Sequence, residues 1–116
     1  MASVQRDYIL RLTEELGAVL VRLLEQFGLG RLAPEEVLQE AQAAQVALLG
    51  PVVHIVPHVD AHTAVWLVRD ARKVKLWIKF MRLEAAACRS QGKEQQAAAL
   101  EARAEALEQV AGELKA

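Results

Sequence analysis

The chain has 116 residues and a formal net charge of −1; 53% of its residues are hydrophobic and 4% are aromatic. This length suits a single domain that buries about two-thirds of the surface of its unfolded chain, and the near-neutral charge argues against a dedicated nucleic-acid-binding protein. The scarcity of aromatic residues argues against a β-fold, whereas the abundance of alanine favours helices.

The N-terminal third predicts two antiparallel helices, over residues 3–50. Apolar residues recur at helical spacing from Val4 to Phe27, with Ser3 as the predicted N-cap. Pro34 suits the first turn of the second helix, which we expect to end at Gly50. The core face predicted for the first helix comprises Val4, Tyr8, Leu12, Leu16, Val19, Leu23 and Phe27, widened by Ile9, Leu20 and Leu24.

Residues 51–70 predict a connector followed by one short helix. Two prolines and several β-branched residues within 51–59 favour an extended connector or a distorted turn. Asp60 is the predicted N-cap of a short helix that runs to Val68, because its carboxylate can accept hydrogen bonds from the first backbone N–H groups.

Residues 71–116 predict a helical hairpin. Asp70 is the predicted cap of a helix over 71–90, which is apolar on two sides, and Gly92 ends it before a last helix over 93–114. The sequence therefore predicts one all-α domain over 1–116, a compact bundle of about five helices.

This hairpin resembles a tetratricopeptide repeat. With Gly92 as the turn glycine, small residues fall at Ala85, Ala97 and Ala104, the spacing at which such repeats bring their two helices into contact. A single repeat does not make the concave surface of a repeat array, so we interpret it as the closing helix pair of the domain.

The start of the chain resembles a family of short bacterial helical proteins of unassigned function. The resemblance rests on an N-terminal Asp-Tyr-Ile-x-Arg-x-x-Glu signature, here Asp7, Tyr8, Ile9, Arg11 and Glu14, together with the C-terminal hairpin. It implies an all-helical fold and no particular activity. From the residues themselves we expect exposed ion pairs among Asp7, Arg11 and Glu14, which are three or four positions apart, with a binding role for Tyr8 and Arg11 as the alternative.

Three histidines, His54, His58 and His62, recur every fourth residue. On a continuous helix this spacing would align them as metal ligands. Pro57 opposes such a helix, because it lacks a backbone N–H and disfavours helix at the preceding residue. We therefore favour no metal, and keep a metal- or small-ligand-binding bundle that uses this connector as the alternative function.

Positive charge is concentrated in the middle of the chain, where residues 51–92 contain seven basic and three acidic groups. Helical spacing places four of the basic residues along one side of the predicted 71–90 helix, namely Arg72, Lys75, Lys79 and Arg82. We expect them to pair with glutamates of the first or last helix, with partner binding as the alternative. Salt-sensitive binding to an anionic polymer is the minor interpretation.

Trp66 and Trp77 are the largest apolar side chains, and tryptophan is common both in cores and as an interface anchor, so both are candidate partner contacts. The single cysteine, Cys88, lies on an apolar side of its predicted helix and is expected to be buried and inert. Charges interrupt every apolar stretch, and no signal-peptide core is present, so we expect a soluble cytoplasmic protein.

No nucleophile triad, phosphate-binding glycine loop or metalloprotease helix is present in the sequence. We therefore expect neither an enzyme nor a cofactor. The leading hypothesis is a non-enzymatic module that binds another protein or a second copy of itself. Its motivation is the predicted 71–90 helix, because one neighbouring helix would cover only one of its two apolar sides.

Overall fold

The computed structural model describes residues 2–115, and the side chains of residues 4–113. The described residues form five α-helices and two short 3₁₀ turns, Gly50–His54 and Val56–His58, which join the second helix to the third. The predicted all-α bundle is therefore confirmed. The helices are α1 (Ala2–Gly28), α2 (Pro34–Leu49), α3 (Ala61–Val68), α4 (Ala71–Ser90) and α5 (Glu94–Lys115).

The helix boundaries follow local signals. The Asp70 carboxylate accepts hydrogen bonds from the backbone N–H groups of Arg72 (2.9 Å) and Lys73 (3.1 Å), as predicted for the cap of α4. Asp60 occupies the N-cap position of α3, although its carboxylate accepts from the Thr63 hydroxyl. Ser3 is not an N-cap, because α1 already begins at Ala2; its side chain lies outside the described residues.

The connector forms two consecutive 3₁₀ turns, and so is a distorted turn and not an extended segment. Pro51 and Pro57 each stand in the first two positions of one turn, where a missing N–H leaves no partner unpaired. The Arg103 guanidinium of α5 donates hydrogen bonds of 2.7 Å to the carbonyl oxygens of both Val56 and Val59. These bonds tie the connector to α5.

The core is built around α4. This helix packs against α5 on one side and against α2 and α1 on the other, so both of its apolar sides are buried, as predicted. Phe80, 0% exposed, is the largest fully buried side chain. Because α1 and α2 supply the second cover, the argument that α4 needs a second copy of the chain was wrong.

The predicted core face of α1 was partly wrong. Leu20 and Leu23 are buried, but Val4 is 69%, Tyr8 62% and Leu24 50% exposed. Length explains Val4 and Tyr8: α1 has 27 residues and α2 only 16, so α2 cannot cover the start of α1. Leu24 lies level with α2, since Arg22 pairs with Glu40, and it is exposed because it points to a different side of α1 from the buried Leu23.

The hairpin of α4 and α5 is closed by small residues. Ala85, Ala97 and Ala104 are all 0% exposed, so the two backbones approach closely at these positions. Gly92 between the helices has φ +79°, a conformation that favours glycine. Within the described residues, no helix is both long and apolar enough to cross a membrane.

Candidate functional site

Arg82, one of the four predicted basic residues, is neutralised within the chain. Its guanidinium lies 3.1 Å from a carboxylate oxygen of Glu108, 3.3 Å from Glu105 and 3.9 Å from Glu101, all on α5. The hydrogen bond to Glu108 raises the pKa of Arg82, and Arg82 lowers the pKa of Glu108 in return. The predicted pairing with glutamates of the last helix is confirmed for this residue.

The other three basic residues, Arg72, Lys75 and Lys79, are exposed. Among the described side chains, no carboxylate oxygen lies within 4 Å of the charged side-chain nitrogens of these three residues, so the pairing with glutamates of the first or last helix expected for them was wrong. All three line a groove of about 280 Å³ between α1 and α4, opposite Thr13 and Gly17. Unpaired positive charge is therefore presented next to α1.

An apolar stripe runs along the side of α1 that borders this groove. It consists of Leu10, Gly17, Val21 and Leu24. Successive members are seven, four and three positions apart, the spacing of a coiled-coil seam. Val21 is 62% and Leu24 50% exposed, and the other two members are partly exposed. We call these four residues the α1 stripe.

Acidic residues border the α1 stripe on the side turned away from α4. Asp7, Glu14 and Glu25 each lie three or four positions from a member of the stripe and are exposed. The ion pairs expected among Asp7, Arg11 and Glu14 are not formed within 4 Å in the part of the chain that the structure describes. Among the side chains of residues 4–113, the stripe is thus flanked by acids without an ion-pair partner on one side and by bases without one on the other.

A second groove, of about 320 Å³, lies on another part of the molecule, between α2, the connector, α4 and α5. We call it the Glu84 groove. Its walls are mostly apolar, and it also contains the side chains of Glu84, Gln45 and Arg103. Burial raises the pKa of Glu84, and the nearby Gln45 amide offsets only part of that rise.

Comparison of the chain with protein-family models, curated proteins and solved structures finds no match. The case for a function therefore depends on these surfaces. Neither the bacterial-family resemblance nor the tetratricopeptide resemblance gains support from the comparisons, and both stay predictions.

The three histidines do not form a shared site. His54, His58 and His62 are all exposed, and they belong to three different elements, the two 3₁₀ turns and α3. Within residues 4–113, no three side chains of the histidine, cysteine, aspartate and glutamate types come together as a possible metal-ligand group. The alternative of a histidine metal site thus has no geometric support.

The two tryptophans occupy opposite environments. Trp66 on α3 is 64% exposed, and the Arg69 guanidinium lies 5.1 Å from the centre of its ring, within the range of a cation–π contact. Trp77 is only 4% exposed and contributes to the wall of the Glu84 groove. Trp66 is therefore the one available as a surface anchor, whereas Trp77 can contact only what enters the groove.

Cys88 is 5% exposed on α4, with its Sγ atom 3.9 Å from Oε1 of Gln96 on α5. The predicted burial is confirmed.

Sequence reasoning missed Glu84, which has a measurable consequence. Because the pKa of Glu84 is raised above its ordinary value of 4.5, the folded protein holds this proton more tightly than the unfolded chain does. The bound proton therefore adds to the free energy of unfolding. This contribution is complete at pH values below the ordinary pKa, and it is lost as pH rises through the raised pKa of the folded protein. The side chain of the Glu84→Gln variant stays neutral at every pH, so the variant does not lose this contribution. We therefore expect its free energy of unfolding to increase relative to that of the wild type as pH rises from about 4 to 8.

Urea unfolding of both proteins at several pH values measures this gap. Glu15→Gln, at an exposed position on α1, is the matched control and should show no comparable trend. A difference between wild type and Glu84→Gln that does not change with pH would contradict the burial of this carboxyl.

Proposed function

We propose that this chain is a non-enzymatic protein-protein interaction module that associates with a second copy of itself through the α1 stripe and its charged borders. The observation that carries the proposal is an exposed apolar stripe with unpaired acids along one edge and unpaired bases along the other. Such a surface is complementary to itself, which is the requirement for a two-fold symmetric interface.

The charges select the orientation of the pair. If the two-fold axis runs parallel to α1, the α1 helices of the two copies are parallel, and the acidic border of each faces the basic border of the other. If the axis is perpendicular to α1, acids face acids and bases face bases, which is unfavourable. The proposed dimer is therefore parallel, like the opposite-charge pairing of parallel coiled coils.

The heights of the charges along α1 agree with this orientation. Glu14 lies between Thr13 and Gly17, the two α1 residues that line the groove with Arg72, Lys75 and Lys79. Rotation about a two-fold axis parallel to α1 does not change the position of a residue along the helix direction. Glu14 of each copy therefore comes level with the basic side chains of the other copy.

Gly17 adds a packing argument. A glycine inside a helix costs about 1 kcal/mol relative to alanine, yet a Cβ atom built at Gly17 meets nothing within 4 Å in this chain. Packing inside the chain thus gives no reason for glycine at this position. Close approach of a second α1 helix would give one, because a missing side chain lets two backbones come together.

The first test is the mass of the protein in solution. A chain of 12.8 kDa that pairs as proposed should sediment as a dimer at about 100 μM, in the weak to moderate affinity range for a small interface. A monomer at millimolar concentration would end the proposal.

Charge reversal tests the orientation. Glu14→Lys alters two symmetry-related contacts, each of which loses an attraction of about 0.5 kcal/mol and gains a similar repulsion. The total, about 2 kcal/mol, corresponds to roughly 30-fold weaker association. Adding Lys75→Glu should restore most of the affinity at low salt, because the pair is re-formed with its signs exchanged.

Lys93→Glu, an exposed reversal at the α4–α5 turn, is the matched control and should leave the affinity unchanged. Strengthened association of Glu14→Lys alone would indicate that acids face acids, and the parallel arrangement would be rejected.

A further inference from the structure

The Glu84 groove is built from four parts of the chain. Gln45 comes from α2, Val56 from the connector, Trp77 and Met81 from α4, and Arg103 from α5. Its volume of about 320 Å³ is at the lower end of the range typical of small-molecule sites, roughly 300–1,000 Å³. Its lining residues include none from α1, so it is separate from the proposed association surface.

The groove contains a carboxylate without a cationic partner. Glu84 is partly buried, and among the described side chains no lysine, arginine or histidine nitrogen lies within 4 Å of it. Arg103 lines the same groove, but its guanidinium donates to the carbonyl oxygens of Val56 and Val59. A partly buried carboxylate that is left unpaired is unfavourable when ionised.

The amide of Gln45 does not neutralise this carboxylate. Gln45 is 7% exposed, and its Nε2 donates to the carbonyl oxygen of Ala41 at 3.2 Å. The nearby Gln45 amide lowers the pKa of Glu84, but by less than burial raises it. The groove therefore still favours a positive charge placed beside Glu84.

We propose that the Glu84 groove binds a small organic cation: a primary ammonium group on an aromatic or aliphatic body. The ammonium group pairs with the Glu84 carboxylate, and the body packs against Trp77 and Met81, an indole and a thioether that suit an apolar or aromatic surface. A negatively charged ligand is disfavoured, because Glu84 would repel it while Arg103 is engaged by the connector.

Binding should depend on pH in a defined direction. The ammonium group pairs with the ionised form of Glu84, so affinity rises as pH increases through the pKa of Glu84 and falls again when the amine loses its proton. His54, His58 and His62 are not among the groove residues, so we attribute the rising limb to Glu84.

The test uses 2-phenylethylamine as the probe and Trp77 as the reporter. Trp66→Phe removes the exposed tryptophan, which leaves Trp77 as the only indole in the chain. For a ligand of about nine heavy atoms we expect a dissociation constant of roughly 1 mM, seen as a saturable change in Trp77 fluorescence. 2-Phenylethanol, which has the same body without the charge, should bind at least tenfold more weakly.

Glu84→Gln, in the Trp66→Phe background, is nearly isosteric, and circular dichroism checks that it folds. It should bind the amine at least tenfold more weakly and the alcohol as before. The proposal is overturned if the wild-type groove gives no saturable signal below about 10 mM, if amine and alcohol bind equally, or if Glu84→Gln retains full affinity for the amine.

Discussion

Replacing Phe80 by alanine is expected to lower the free energy of unfolding by about 3–5 kcal/mol. Phe80 is 0% exposed and is the largest fully buried side chain. It lies on α4, which contacts α1, α2 and α5, so the cavity left by the missing ring would be bounded by several helices that cannot all close on it. Small domains are stable by only about 5–15 kcal/mol, so this one change removes a large share of the total.

Urea unfolding followed by far-ultraviolet circular dichroism measures the effect as a lower midpoint with an unchanged slope. Phe80→Leu, which keeps most of the volume, is the matched control and should cost clearly less. Because association would add a concentration-dependent term, all proteins should be compared at one concentration. A loss below about 1 kcal/mol for Phe80→Ala would show that α4 is not the centre of the core.

The helices could be predicted from the sequence because their signals are local. The bounds of α4 agree with the prediction at both ends: Asp70 caps the first turn, and the apolar period continues to Ser90. Gly92 likewise marks the turn of the hairpin through its own backbone preference. Each of these signals acts within a few residues of the chain, so no knowledge of tertiary contacts was needed.

The neighbours of each helix face could not be predicted in the same way. Val4 and Tyr8 lie on the predicted apolar face of α1, but their burial depends on how far α2 extends along α1, which is a property of the packed structure. The two apolar sides of α4 pointed to a second copy of the chain, whereas α1 and α2 already cover one of them. Periodicity identifies a face that favours burial and does not identify what covers it.

The Glu84 groove shows the same limit for a site. The only sequence signal was a lone acidic residue on a helix with two apolar sides, which gives no indication of its partners. The partial burial of Glu84 depends on a groove assembled by α2, the connector and α5, and Arg103 is held by two carbonyl groups 44 and 47 residues away in the sequence. By contrast, the pairing of Arg82 with glutamates of the first or last helix was predicted, and the structure places its partners on the last helix, α5.

Leu24→Glu is expected to convert the proposed dimer into a monomer, with association weakened by more than about 100-fold. Leu24 is 50% exposed in the single chain, so a glutamate there stays in contact with water and should change the stability of the monomer by less than about 0.5 kcal/mol. In the parallel pair, the two Leu24 side chains lie on the same apolar seam. Two carboxylates buried there would lack cationic partners and would lie close to each other, which costs several kcal/mol.

Sedimentation velocity over a range of concentrations measures the association, and circular dichroism and urea unfolding measure the fold separately. Val46→Glu is the matched control, because Val46 is 46% exposed on α2 and not on the α1 stripe; it should associate as the wild type does. If both variants dissociate equally, the association depends on general surface hydrophobicity and not on the stripe. If Leu24→Glu still forms the wild-type dimer, the interface lies elsewhere, and exposed Trp66 becomes the next anchor to substitute.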